Sequence, residues 1–227
     1  MKNIPSVIKY LIWLIAVPAV IASGVLLFDS KKYIWISACV CILACVPFFM
    51  TFEKKRSNNN KLVIIAVMVA FSIIGRYVFS FIPHFKPVTA IVVITGVYLG
   101  AEAGFLCGAL SALTSNFIFG QGPWTPFQMF AWGLIGLIAA LLSAPMKKSR
   151  IAVCVFGVFS GAAYSLLLDV MSTLWYDGAF NFSRYLALMA TALPVTAVYA
   201  VSNAVFLLLL AKPIGEKLDR IKIKYGL

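Results

Sequence analysis

The sequence predicts an all-α integral membrane protein of about eight spans, on the strength of its composition, its apolar run lengths and its charge placement. Of 227 residues, 63% are hydrophobic and 11% charged, whereas soluble domains carry about a quarter charged residues. Mean hydropathy is +1.00. The apolar runs are long enough to cross roughly 30 Å of hydrocarbon, where a backbone must satisfy its own hydrogen bonds as helix. The 19 basic residues outnumber 7 acidic ones, but they lie in short breaks between runs and not along one face. That pattern is a topology signal, and no nucleic-acid partner is expected.

In chain order the spans run approximately over Val7 to Phe28, Tyr33 to Phe52, Leu62 to Ile82, Pro87 to Gly100, Ala103 to Phe119, Thr125 to Ala144, Ile151 to Trp175 and Arg184 to Ala211. The first exceeds the roughly 7–15 residues of a secretory h-region, so it is read as a retained helix. The fourth is short, and only Gly100, Ala101 and Glu102 separate it from the fifth. Glu53 to Lys61 holds three consecutive asparagines and is too polar to order itself. It divides an amino-terminal transmembrane hairpin (1–52) through a cytoplasmic linker (53–61) from a six-helix body (62–212), followed by a basic cytoplasmic tail (213–227). With the amino terminus inside, fourteen of the 19 basic residues fall on the inner side. An even number of spans with both termini cytoplasmic follows.

Polar residues in or near spans are costly and mark function. Most collect at the predicted outer end: Arg76, His84, Lys86, Asn116, Gln121, Trp124, Gln128, Asp169, Trp175, Tyr176, Asp177, Asn181, Arg184 and Tyr185. Between Asn116 and Gln128, two glycines and two prolines force a non-helical turn that can direct Asn116, Gln121, Trp124 and Gln128 to one point. An ordinary loop with Trp124 at the headgroup level is the equal alternative. Asp169 needs a partner at its depth, which Arg184 or Arg76 could provide as an ion pair. His84, the single histidine, is better suited to a hydrogen bond than to a metal.

The five cysteines, Cys39, Cys41, Cys45, Cys107 and Cys154, lie in apolar runs without other ligand types and read as free thiols, so no metal is expected. Phosphate-loop, zinc-protease and aspartate-rich prenyl motifs are absent, which leaves no catalytic residues, no catalytic cofactor and no ATP hydrolysis by the chain itself. Small residues at helical spacing, in Ala66 to Ala70, Gly104 to Gly108, Gly133 to Gly136 and Gly157 to Gly161, mark close helix packing.

The region from about Lys61 to Lys212, above all Lys86-Pro-Val-Thr-Ala90, Gly100 to Ala112 and Gly120-Gln-Gly-Pro-Trp-Thr-Pro-Phe-Gln128 through Gly136, resembles the substrate-binding S components of energy-coupling factor (ECF) transporters, the vitamin importers of bacteria and some archaea. The resemblance implies a six-helix S-component-like bundle in the bacterial cell membrane, surrounded by lipid. Its vitamin or cofactor precursor would bind at the outer end, under the loops at Pro83 to Pro87 and Gly120 to Pro126. It also implies a transmembrane coupling (T) subunit, met through Ala66 and Ala70, and two ABC-type ATPases that alone use ATP. The substrate-binding residues expected are Lys86, Asn116, Gln121, Trp124, Gln128, Asp169, Trp175, Tyr176, Asn181 and Tyr185. The Gly-Gln-Gly-Pro-Trp-Thr-Pro stretch points to cobalamin or a related corrinoid, with riboflavin or a queuosine precursor as alternatives. The hairpin departs from the family pattern. Two readings from other classes are a lipid or isoprenoid enzyme using Asp169, Asp177 and His84, and a gradient-driven carrier with Asp169 as its proton site.

Overall fold

The computed structural model describes residues 59–226 except Pro123, together with Leu11, Ile15, Ala16 and Ala19. The predicted hairpin, Cys39, Cys41, Cys45 and most of the linker lie outside the described residues. Seven helices follow in order: α1 (Asn59–Val78), α2 (Val88–Leu99), α3 (Ala101–Phe119), α4 (Trp124–Leu141), α5 (Ser143–Lys148), α6 (Arg150–Asp177) and α7 (Phe182–Tyr225). Five of them, all but α2 and α5, are long and apolar enough to cross a membrane. With α2 they form the six-helix body, and the all-α membrane class holds.

α1 shows how the sequence sorts its faces. Ile65, Met68, Val69 and Ser72, at i, i+3, i+4 and i+7, are buried, while Val63, Val67, Phe71 and Ile74 are exposed. Both faces are apolar, as expected of a helix with protein on one side and lipid on the other. α2 differs, because all its residues but Tyr98 are buried. Its 12 residues rise only about 18 Å, so the short fourth run is an interior helix. It packs among α3, α4 and α7, while α3 pairs with α4 and α6 with α7.

The small residues make these pairings close. A Cβ on Gly104 or Gly136 would strike the other helix's backbone, Gly108 lies against Trp132 and Gly133, and Gly157 and Gly161 lie against Ala204 and Ala200 of α7. Three of the four small-residue motifs are therefore spent on packing within the body. Gly100 joins α2 to α3 in a single residue at φ 95°, a backbone that L side chains rarely adopt.

Two boundaries differ from the sequence reading. α1 already includes Asn59 and Asn60 of the asparagine run, two residues of modest propensity carried by the apolar helix that follows. α7 is one helix of 44 residues with Pro194 and Pro213 inside it, so the basic segment after residue 212 continues the last span. At about 66 Å it is roughly twice the hydrocarbon thickness.

Candidate substrate-binding cavity

The α1–α2 loop shapes the site. Lys86 is fixed by its backbone: its N–H donates to Ser202 Oγ at 2.9 Å and its carbonyl accepts from the same hydroxyl at 3.2 Å. The Phe79 and Phe85 rings pack on Phe206 with centroids 5.0 and 5.1 Å away. Ser202 lies about 30 Å along α7 from its first residue, so the loop is pinned partway along that helix.

Beside this loop lies a cavity of about 210 Å³, lined by Arg76, His84, Lys86, Val88, Thr89, Gln128, Trp132, Tyr164, Tyr199 and Asn203. Its wall is aromatic. Trp132 and Tyr164 stack at 5.0 Å and 16°, and Tyr199 meets Tyr164 edge-on at 5.3 Å. Trp132 Nε1 donates to Thr89 Oγ1 at 3.2 Å, fixing the indole plane. His84 has a left-handed backbone, φ 61°, uncommon without glycine, and its Nδ1 shares a 3.1 Å hydrogen bond with the Tyr199 hydroxyl.

A buried network sets the polar side. Asn116, 1% exposed, accepts from Arg76 Nη1 at 2.8 Å and donates to Thr125 Oγ1 at 2.9 Å and Gln128 Oε1 at 2.8 Å. Arg76 also donates to Ser115 Oγ. Gln121 accepts from Thr125 Oγ1 and donates to the Leu113 carbonyl, both at 2.9 Å. Asn116 and Gln121 are thus braces behind the wall, aiming Arg76 and Gln128 into the space.

Electrostatics are one-signed. Burial, then the charge of Arg76, pushes the Lys86 ammonium below its usual pKa, and burial, then Lys86, lowers that of His84. Arg76 Cζ and Lys86 Nζ stand 4.7 and 5.3 Å from the centroid of the same Phe119 ring, in cation–π reach. Among the described residues no cluster of three metal-ligating side chains occurs.

Of the expected substrate-binding residues, Lys86 and Gln128 line the cavity. Trp124 is 38% exposed and lies over Gly122, off the cavity wall. The remaining five sit toward the α6–α7 turn. There Arg184 Nε pairs with Asp177 Oδ1 at 2.6 Å, its guanidinium lies 5.7 Å from the Tyr176 ring, Asn181 Oδ1 caps α7 by accepting from the Arg184 N–H at 3.2 Å, and Trp175 is exposed. Tyr185 donates to the Leu166 carbonyl at 3.4 Å. The ion pair proposed for Asp169 is corrected: Arg184 takes Asp177 because the two face each other across the turn, and Arg76 takes Asn116 and Ser115. Ala66 and Ala70 lie on the exposed face of α1.

Residues 56–220 match a family model, that of the ECF-type riboflavin transporter, S component. The chain belongs to this family. Comparison with curated proteins and with solved structures found no match. As an ECF S component it is the substrate-binding subunit of a vitamin transporter, and the cavity is the place in its body where aromatic faces and hydrogen-bonding groups converge.

The sequence reading missed Thr89, Trp132, Tyr164, Tyr199 and Asn203 and left Arg76 and His84 among outer-end polar residues. A signal existed. Two tyrosine hydroxyls and an asparagine amide in mid-span must find partners, and a common depth for three such groups marks a polar centre.

Proposed function

We propose that this S component captures a flavin from the outer side of the cell membrane and delivers it through a T subunit driven by two ABC-type ATPases. The observation that carries the proposal is the stacked Trp132–Tyr164 wall in a cavity that the amides of Gln128 and Asn203 also line. A planar heterocycle gains from stacking on such a wall, while amide groups suit a ring edge of alternating donors and acceptors. The family's riboflavin description agrees with that chemistry.

The corrinoid reading is less favoured. At about 210 Å³ the cavity lies below the roughly 300–1,000 Å³ of drug-sized ligand pockets, and a corrin macrocycle with its nucleotide loop is larger than such ligands. The excess of basic residues at the other end of the body, Lys147, Lys148, Arg150 and Lys212 among them, supports an outer position for the cavity by the positive-inside rule. Ala66 and Ala70 on the exposed face of α1 give a small-residue surface for the T subunit.

The test is to purify the full chain, identify any retained compound by mass spectrometry, and titrate it with flavins by fluorescence quenching. Saturable binding near one flavin per chain is expected. Absence of flavin binding, with another vitamin retained, would overturn the substrate assignment.

A further inference from the structure

The cavity's charge is unbalanced. Arg76, Lys86 and His84 line it, and no carboxylate does among the described residues. The chain has 7 acidic residues, of which Asp29 and Glu53 lie outside the described ones. Asp177 is engaged by Arg184 and Asp219 by Lys147 at 3.8 Å. Glu216 lines a second cavity, at the opposite end of the body, and Glu102 stands in the first turn of α3, also far from the loop. Asp169 is absent from the lining, though it is near enough for its charge to act on the lining Tyr199.

Two cations therefore share one half-buried place. Their distances to the Phe119 centroid, 4.7 and 5.3 Å, put the two charges within about 10 Å of each other. Arg76 has neutral partners in Asn116 and Ser115, which leave several of a guanidinium's five N–H donors to spare. Lys86 Nζ has the Phe119 face. Like charges held together away from water are costly without a counter-charge. A neutral ring system needs no such pair; an anion does.

We propose that the ligand bears an anionic group, a phosphate or carboxylate, seated between the Arg76 guanidinium and the Lys86 ammonium. Taken with the flavin assignment, on which this part rests, the preferred ligand is a flavin 5′-phosphate and not neutral riboflavin. The isoalloxazine ring lies on the Trp132–Tyr164 wall, and the ribityl chain carries the phosphate toward the α1–α2 loop. Arg76, aimed by Asn116, supplies a planar fork suited to two phosphate oxygens, and Lys86 supplies a point charge.

The experiment titrates the full chain in lipid nanodiscs with riboflavin and with flavin mononucleotide, at low and at moderate salt, for the native protein and for Lys86→Gln. Lys86→Gln leaves the Lys86 backbone bonds to Ser202 intact. Flavin mononucleotide is expected to bind about tenfold or more tightly than riboflavin, since a charge-assisted hydrogen bond is among the stronger kinds. Lys86→Gln should remove most of that advantage, weakening flavin mononucleotide several-fold more than riboflavin. Riboflavin binding as tightly as its phosphate, or tighter, would overturn the anion site and leave the flavin assignment standing. Failure of both flavins, with an anionic vitamin such as pantothenate or biotin binding and weakened by Lys86→Gln, would keep the anion site and overturn the flavin assignment. Failure of every flavin and every anionic vitamin would overturn the proposal.

Discussion

The cavity and the α6–α7 turn are built from the same kinds of residue, cations, aromatics and amides, yet they use them in opposite ways. At the turn the partners are near in sequence: Arg184 pairs with Asp177 and Asn181 caps the helix that Arg184 opens. These pairings close within the turn, although Asp177 Oδ2 is left buried without a hydrogen-bond partner. In the cavity the partners come from afar, as Arg76 reaches Asn116, Trp132 reaches Thr89 and Lys86 is pinned to Ser202. Its charges are not cancelled by one another. Tyr164 stands thirteen residues before the end of α6, about 20 Å along the helix axis, so the two clusters are separate places. Polar residues near a span end report a site only when distant elements bring them together with capacity left for a ligand.

The strongest way to break this contrast is to disturb the close packing on which the cavity rests. Gly136→Leu drives a side chain into the α3 backbone at Gly104. Overpacking of this kind costs about 1–3 kcal/mol or more, and here backbone cannot yield. The variant is expected to lose its monodisperse size-exclusion peak and its flavin binding, whereas Gly178→Ala at the turn, at φ 74°, should lower Tm by only a few degrees.

Next in size is the brace behind the wall. Asn116→Ala removes one acceptor from Arg76 and two donated bonds, to Thr125 and Gln128, without touching the lining. Buried groups left unsatisfied cost about 1–3 kcal/mol. Thermal shift should show a lower Tm, and titration about tenfold weaker flavin binding. Asn116→Asp, which can still accept from Arg76, should restore much of the stability.

A smaller effect separates the two regions by pH. The folded protein disfavours protonated His84, through burial and then Lys86, so folding holds that proton less tightly than the unfolded chain does. The corresponding stability is complete above the unfolded pKa of about 6.5 and diminishes as pH falls below it. Native protein should lose more Tm between pH 7 and pH 5 than His84→Gln. The smallest effect belongs to the turn: Arg184→Gln should leave flavin affinity within about twofold of native, because neither Arg184 nor Asp177 lines the cavity.

Much of the fold was legible, because run length and basic breaks report helices and their alternation directly. The sequence pattern of α2 did not show that it is a buried 12-residue helix, since an all-apolar run reads alike as a lipid-facing or an interior helix. Within the site, the turn from Asn116 to Gln128 was legible through its glycines and prolines, and Lys86 through its place in a loop. Tyr164, Tyr199 and Asn203 were not. Inside long apolar runs they resemble ordinary packing residues, and only the stacking of α4 on α6 and the docking of the α1–α2 loop on α7 give them a common centre. The α6–α7 turn drew attention for the converse reason: its aromatics and charges are conspicuous in sequence, but Arg184, Asp177 and Asn181 pair with near neighbours.

The central claim is that ligand binds on the Trp132–Tyr164 wall and not at the turn. Flavin affinity measured by fluorescence titration for Tyr164→Ala beside Trp175→Ala tests it most directly. The account predicts more than about tenfold weakening for Tyr164→Ala, the loss expected for one stacked aromatic with its buried contacts, and near-native affinity for Trp175→Ala. Native affinity in Tyr164→Ala with loss in Trp175→Ala would place the ligand at the α6–α7 turn and contradict it.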